Sequence, residues 1–231
     1  MSFVLIHGAG YGADCWNELT PLLDGETLAV DLPGRGRRAD VDLPTVTLAD
    51  CAAAVVADVE AAGLDDVVLV GHSFAGVTVP RVMDAIPERI RAVVLVAAVV
   101  PPDGTRVLDQ IDPDVRVAVA ESLAGGIYSQ GPDAARQMLC NDMDEATARS
   151  ALDRLVDDSA ALLSEPVDLA GYARDIPLTY VRTSRDQCYP AELQERSVKL
   201  LDADVETLDA GHMVMISAPD RLAAVLNRIG G

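Results

Sequence analysis

Ten residues, Val67-Val68-Leu69-Val70-Gly71-His72-Ser73-Phe74-Ala75-Gly76, limit what this chain can fold into more than any other stretch. Four consecutive apolar residues without polar alternation read as a strand covered on both faces. Residues 74–86 then follow a helical period. A serine at such a strand-to-helix junction has the setting of a nucleophile elbow, G-x-S-x-G, where the turn is strained and the hydroxyl projects. Glycines flank it because a side chain there would collide with the adjoining strand and helix. Ala75 takes the fifth position as the least intrusive substitute, and Gly76 follows. Alone, Ser73 leaves a helix cap as the lesser reading; strand, turn and helix together favour the nucleophile. The Gly-Lys-Ser/Thr end of a phosphate-binding loop is missing.

Similar alternation runs along most of the chain. Short apolar runs at 3–6, 27–31, 67–70, 92–98, 178–183 and 204–208 predict six strands, several without polar alternation. Helical period appears at 16–23, 48–62, 74–86, 191–200 and 219–229, with Thr47 and Ala218–Pro219 as helix starts. Strands alternating with helices predict an α/β fold, a doubly wound parallel sheet of about six strands. The regularity breaks between Pro101 and Ile176, where acid-rich helical patterns such as 144–158 replace strands. Residues 1–100 and 177–231 therefore form the expected core, and 101–176 an expected helical cap over the sheet's C-terminal edge. Ligands bind at that edge in open α/β sheets.

A serine hydroxyl needs a base, and the chain has three histidines. His7 lies in a loop after the first strand, and His72 points away from its neighbour Ser73. His212 follows the last strand, in Asp209-Ala210-Gly211-His212-Met213, and completes the order Ser…Asp…His. Asp186, just past the penultimate strand, is the expected acid that orients and stabilises the imidazolium. Asp103, after the fourth strand, is the alternative. Asp209 is too close to His212 in sequence for a comfortable approach. The oxyanion formed on attack needs preorganised N–H donors, expected from Phe74, after the serine, and Ala9, in His7-Gly8-Ala9-Gly10. By residue type, Cys15, Trp16, Phe74, Tyr128, Met138 and Met213 are candidates to line an apolar substrate site. Cys15 is a poor nucleophile because no histidine is left to activate it.

Composition narrows the partners. The 37 acidic residues against 18 basic ones, a net charge of -19, repel a phosphate backbone and argue against nucleic acid. No apolar run is long enough to span a membrane, and the first residues run straight into a strand without a secretory signal pattern. Four scattered cysteines, Cys15, Cys51, Cys140 and Cys188, suit reduced thiols in a cytoplasmic protein and show no metal-ligand spacing. The chemistry calls for no cofactor and no metal, only a small-molecule ester; a homodimer stays open.

Taken together, residues 3–10, Trp16 with Leu22-Leu23, 70–76, 183–190 with Gln194, and 211–215 resemble the α/β-hydrolase superfamily, and within it the plant methylesterase and hydroxynitrile lyase group. The segment Asp31-Leu32-Pro33-Gly34-Arg35-Gly36 resembles a structural loop of those hydrolases. The resemblance implies an α/β-hydrolase fold and a serine esterase with a small, mostly apolar pocket under a helical cap. Lyases of the group carry threonine where this chain has Gly8, and lysine where it has Met213, a cation for departing cyanide. Their absence here favours ester hydrolysis. Carbon–carbon lyase chemistry, a weakly catalytic ligand receptor, and binding or oxygenation without covalent attack remain the alternatives.

Overall fold

In the computed structural model, which describes residues 1–231 apart from the side chain of Val115, the six expected strands form one parallel sheet. They are β1 (Ser2–Ile6), β2 (Glu26–Val30), β3 (Val67–His72), β4 (Ile90–Val96), β5 (Leu178–Thr183) and β6 (Asp204–Leu208). Their order across the sheet is β2-β1-β3-β4-β5-β6, parallel throughout. The uninterrupted apolar runs of β1 and β3 are wholly buried because both sheet faces are covered. Alternate residues divide them between two cores. Val4, Ile6, Val67 and Leu69 join one, and Phe3, Leu5, Val68 and Val70 join the other. Edge strand β6 is largely exposed.

Helices α1 (Leu48–Ala61) and α2 (Ala75–Ala85) pack against each other. Thr47 starts α1 as expected: its hydroxyl accepts from Asp50 N (3.1 Å), and Asp50 Oδ2 accepts from Thr47 N (2.9 Å). Inside α2, Pro80 has no N–H to offer the Gly76 carbonyl one turn earlier. The Tyr172 hydroxyl donates to it instead, at 2.7 Å.

Two expectations need correction. Residues 16–23 do not form a continuous helix. They split into 3-10 turns at Ala13–Trp16 and Thr20–Leu22, with Pro21 unable to continue an i→i−4 ladder. The segment 101–176 also carries strand. Alongside α3 (Pro113–Ser122), α4 (Pro132–Leu139) and α5 (Glu145–Leu152), a two-residue antiparallel pair joins Ile127–Tyr128 to Asp158–Ser159. The helical pattern of 144–158 accordingly stops at Leu152. Helices α6 (Ala191–Leu201) and α7 (Pro219–Gly230) complete the chain, the latter starting at the expected proline. No helix among the described residues is long and apolar enough to cross a membrane.

Thr47→Ala removes one half of the capping pair, and thermal unfolding should show a loss of about 1 kcal/mol, a fall of about 2–4 °C in Tm.

Candidate active site

Ser73 joins β3 to α2 with φ of 53°. A non-glycine residue adopts this left-handed conformation at a cost of roughly 1–2 kcal/mol, so its surroundings must hold it there. Ser73 N donates to Val96 O (3.0 Å), and Ser73 O accepts from Val99 N (2.9 Å) and Gly76 N (3.0 Å). A Cβ on Gly71 would lie 2.7 Å from Val79 Cγ2, and one on Gly76 would run into the Val99 carbonyl. The tightest approach therefore falls at Gly76, one position beyond Ala75, which is why alanine fits in the fifth place.

The loop after β6 brings His212 to this serine. His212 Nε2 lies 3.0 Å from Ser73 Oγ, and Nδ1 lies 2.8 Å from Asp186 Oδ2. All three side chains are buried, with Ser73 5% exposed. Asp186 is held in turn. Its Oδ1 accepts from the backbone of Cys188 and Tyr189 at 2.8 Å each, and its Oδ2 from Thr183 Oγ1 at 2.9 Å. Gln194, fully buried on α6, ties this turn together: Thr183 N donates to its Oε1 (3.0 Å), and its Nε2 donates to Tyr189 O (2.8 Å). The rival acids are engaged elsewhere. Asp103 accepts from Leu169 N (2.9 Å), and Asp209 pairs at the surface with Arg185 and Ser184.

Electrostatics separate the three histidines. Burial, then the Arg35 charge, drives His7 down to about 3. Its Nδ1 donates to Gly8 O (2.8 Å) and its Nε2 accepts from Leu32 N (3.2 Å), the pattern of a neutral ring. Burial, then neighbouring His212, holds His72 well below the ordinary value, and its Nε2 donates to the His212 carbonyl (3.0 Å). Burial opposes charge on His212 too, but Cys188 and the Asp186 carboxylate outweigh it and raise that pKa well above 6.5. Burial likewise pushes the Asp186 carboxyl up, and His212 with the surrounding donors brings it below its ordinary value.

The loop after β1 comes against the serine. A Cβ on Gly8 would lie 2.7 Å from Ser73 Cβ and 3.2 Å from His72 Nδ1. Neither the Ala9 nor the Phe74 N–H has a hydrogen-bond partner among the described residues. Ser73 opens onto a mostly apolar cavity of about 450 Å³, walled by Phe74, Tyr128, Met138, Leu163, Cys188 and Tyr189. The expected wall residues Phe74, Tyr128 and Met138 are thus in place. Cys15, Trp16 and Met213 are not. They are core residues, at most 1% exposed, and the Trp16 ring packs at right angles to that of His72. An apolar residue type suits a pocket wall and a core alike, and here the turns direct these side chains inward.

Several residues that hold the site were not singled out from sequence. Asp142 Oδ2 accepts from Gly211 N (2.6 Å) and Ser217 Oγ (2.9 Å), bracketing His212, while Asn141 Nδ2 donates to Arg185 O (2.8 Å) beside Asp186. In a chain with 37 acidic residues, no local pattern distinguishes such an aspartate.

Residues 3–225 match the alpha/beta hydrolase family. The chain belongs to it. The likeness to plant methylesterases read from sequence also holds. Among curated relatives, the carbendazim hydrolyzing esterase of Nocardioides sp. (strain SG-4G) is 29% identical over 99% of this chain and 99% of its own length. Norfluorocurarine synthase 1 of Strychnos nux-vomica is 30% identical over 98% of this chain and 94% of its own. Salicylic acid-binding protein 2 of Nicotiana tabacum is 29% identical over 98% and 96%. Among solved structures, an extracellular alpha/beta-hydrolase from a Paenibacillus species superposes with a TM-score of 0.88, 23% identity, and coverage of 100% of this chain and 99% of that one.

The crowding at Gly8 makes a direct prediction. Gly8→Ala should fold, but displacement of Ser73 should slow its labelling by a fluorophosphonate by about tenfold or more, read by gel fluorescence against time.

Proposed function

We propose that this member of the family hydrolyses small carboxylic esters, of methyl-ester or lactone type, through an acyl-enzyme on Ser73. The observation that carries this reading is the continuous hydrogen-bonded chain Ser73 Oγ–His212–Asp186, opening onto an apolar cavity. In the first half-reaction Ser73 Oγ attacks the ester carbonyl carbon while His212 Nε2 takes the hydroxyl proton. The buried Asp186 carboxylate stabilises the resulting imidazolium. The free Ala9 and Phe74 N–H groups receive the carbonyl oxygen as it gains negative charge. The tetrahedral intermediate collapses, and His212 returns the proton to the leaving alcohol. Water, deprotonated by the same imidazole, then cleaves the acyl-enzyme and restores Ser73.

Relatives that carry the name esterase, from Nocardioides and from Arabidopsis thaliana, support ester hydrolysis as the reaction class. Two features of this chain weigh against the lyase alternative. Gly8 leaves no room for a threonine against Ser73, and the neighbour of His212 is the buried, uncharged Met213. Segment 101–176 supplies Tyr128, Met138 and Leu163 to the cavity, in keeping with a cap that selects the substrate. The four cysteines carry no disulfide among the described residues, compatible with the cytoplasmic placement we assign.

A panel of p-nitrophenyl acetate, methyl esters and lactones, with fluorophosphonate labelling in parallel, tests the proposal. Turnover and labelling should both vanish in Ser73→Ala, with kcat falling by at least about 10³-fold. No label and no turnover in the wild type would favour a receptor, and cyanide release from a cyanohydrin with esters inert would favour the lyase. A second expectation concerns pH. The base must be neutral, and His212 is raised above 6.5, so kcat/KM should rise with pH along an acid limb whose midpoint lies above 6.5. A midpoint below that value would contradict the upward shift of His212.

A further inference from the structure

The loop that carries Ala9 is held at both ends. On one side His7 Nδ1 donates to Gly8 O (2.8 Å). The C=O and N–H of a trans peptide point in opposite directions, so this contact turns the Ala9 N–H away from His7. On the other side, both peptide groups of Gly10 are gripped by residues 156–158 of segment 101–176. Gly10 N donates to Asp158 Oδ2 (3.0 Å), and Gly10 O accepts from Val156 N (3.0 Å). Asp158 is 1% exposed and meets Arg35, 3% exposed, through both guanidinium nitrogens, with NH1 at 2.8 Å from Oδ2. The same NH1 donates to Tyr11 O (3.1 Å), one residue beyond Gly10.

A buried ion pair is a weak source of stability, because desolvating both charges offsets most of their attraction. Apolar side chains of similar volume would fill the same space. Direction is what they would lack: a carboxylate aimed at the Gly10 N–H and anchored by the fork of a guanidinium. We infer that Asp158, locked by Arg35, is a positioning residue that sets the Ala9 N–H for the developing oxyanion. This rests on the serine-hydrolase reading above. Segment 101–176 would then contribute to the rate of the chemical step as well as to the shape of the pocket.

The test uses Arg35→Met/Asp158→Leu, which removes both charges together and leaves neither one buried alone. For p-nitrophenyl acetate, kcat should fall by about 10- to 100-fold, with KM changed by less than about threefold. The Ki of an aryl trifluoromethyl ketone, whose Ser73 adduct bears an oxyanion, should weaken by the same factor. A folded double variant with wild-type kcat and Ki, beside an inactive Ser73→Ala, would overturn the inference and leave the hydrolase reading intact. A fall in kcat with Ki unchanged would also overturn it, since loosening elsewhere would then be the cause. If Ser73→Ala keeps its activity, the underlying reading falls and takes the inference with it. Should the double variant not fold, Val156→Pro on an exposed residue deletes the donor to Gly10 O. It should shift kcat and Ki together, and unchanged values there would overturn the inference.

Discussion

Between β3 and α2 the chain turns through Ser73 and Phe74, and the Ser73 backbone lies in the left-handed region at φ of 53°. Much of the site's arrangement follows from keeping it there. The β3–β4 pairing delivers Val96 O and Val99 N to the Ser73 peptide groups. Gly71 and Gly76 must be bare for the elbow to close on Val79 and Val99, and Gly8 must be bare for the loop after β1 to reach the serine. Each is a backbone-to-neighbour distance that a single methyl group would violate. The strain is local, and the sheet on either side over-determines it.

Around this elbow the fold surrounds a polar assembly with apolar packing. Asp186, Gln194, His72 and His7 are all buried, and each has a directional partner among the loops around the elbow. Most of the arginine pairs lie at the surface in contact with water, where such pairs contribute little. The Arg35–Asp158 pair is different in kind: it is buried, it joins the loop after β2 to segment 101–176, and it touches the backbone next to Ala9. Asn141 and Asp142, from the same segment, reach the loops of Asp186 and His212. Every loop of the site except the elbow is therefore fastened by a side chain from residues 101–176, so site geometry and the placement of that segment are coupled.

Legibility in the sequence followed the range of the interactions. The strands were readable because burial on both faces demands unbroken apolar runs, and their ends were off by at most two residues. Residues 16–23 misled because helical period is a property of side chains, whereas the break at Pro21 is a property of the backbone. Pro80 shows the opposite outcome: α2 tolerates it only because the Tyr172 hydroxyl, 96 residues away, satisfies the Gly76 carbonyl. Tyr128 and Met138, candidates by residue type, line the cavity. Cys15, Trp16 and Met213, candidates on the same ground, are core residues, since residue type does not say whether an apolar side chain faces a cavity or the interior.

The sequence by itself determined the parallel sheet, the serine at the elbow and the order of the residues that meet there. These depend on local period, on turn chemistry and on having only three histidines to choose among. Tertiary structure alone decided which aspartates matter. Asp186 was one candidate of three until its carboxylate came within 2.8 Å of His212. Asp158 had no local signature, because its meaning lies in Gly10, 148 residues distant along the chain. A carboxylate acts through whatever charge or donor faces it in space, and only the folded chain specifies that neighbour.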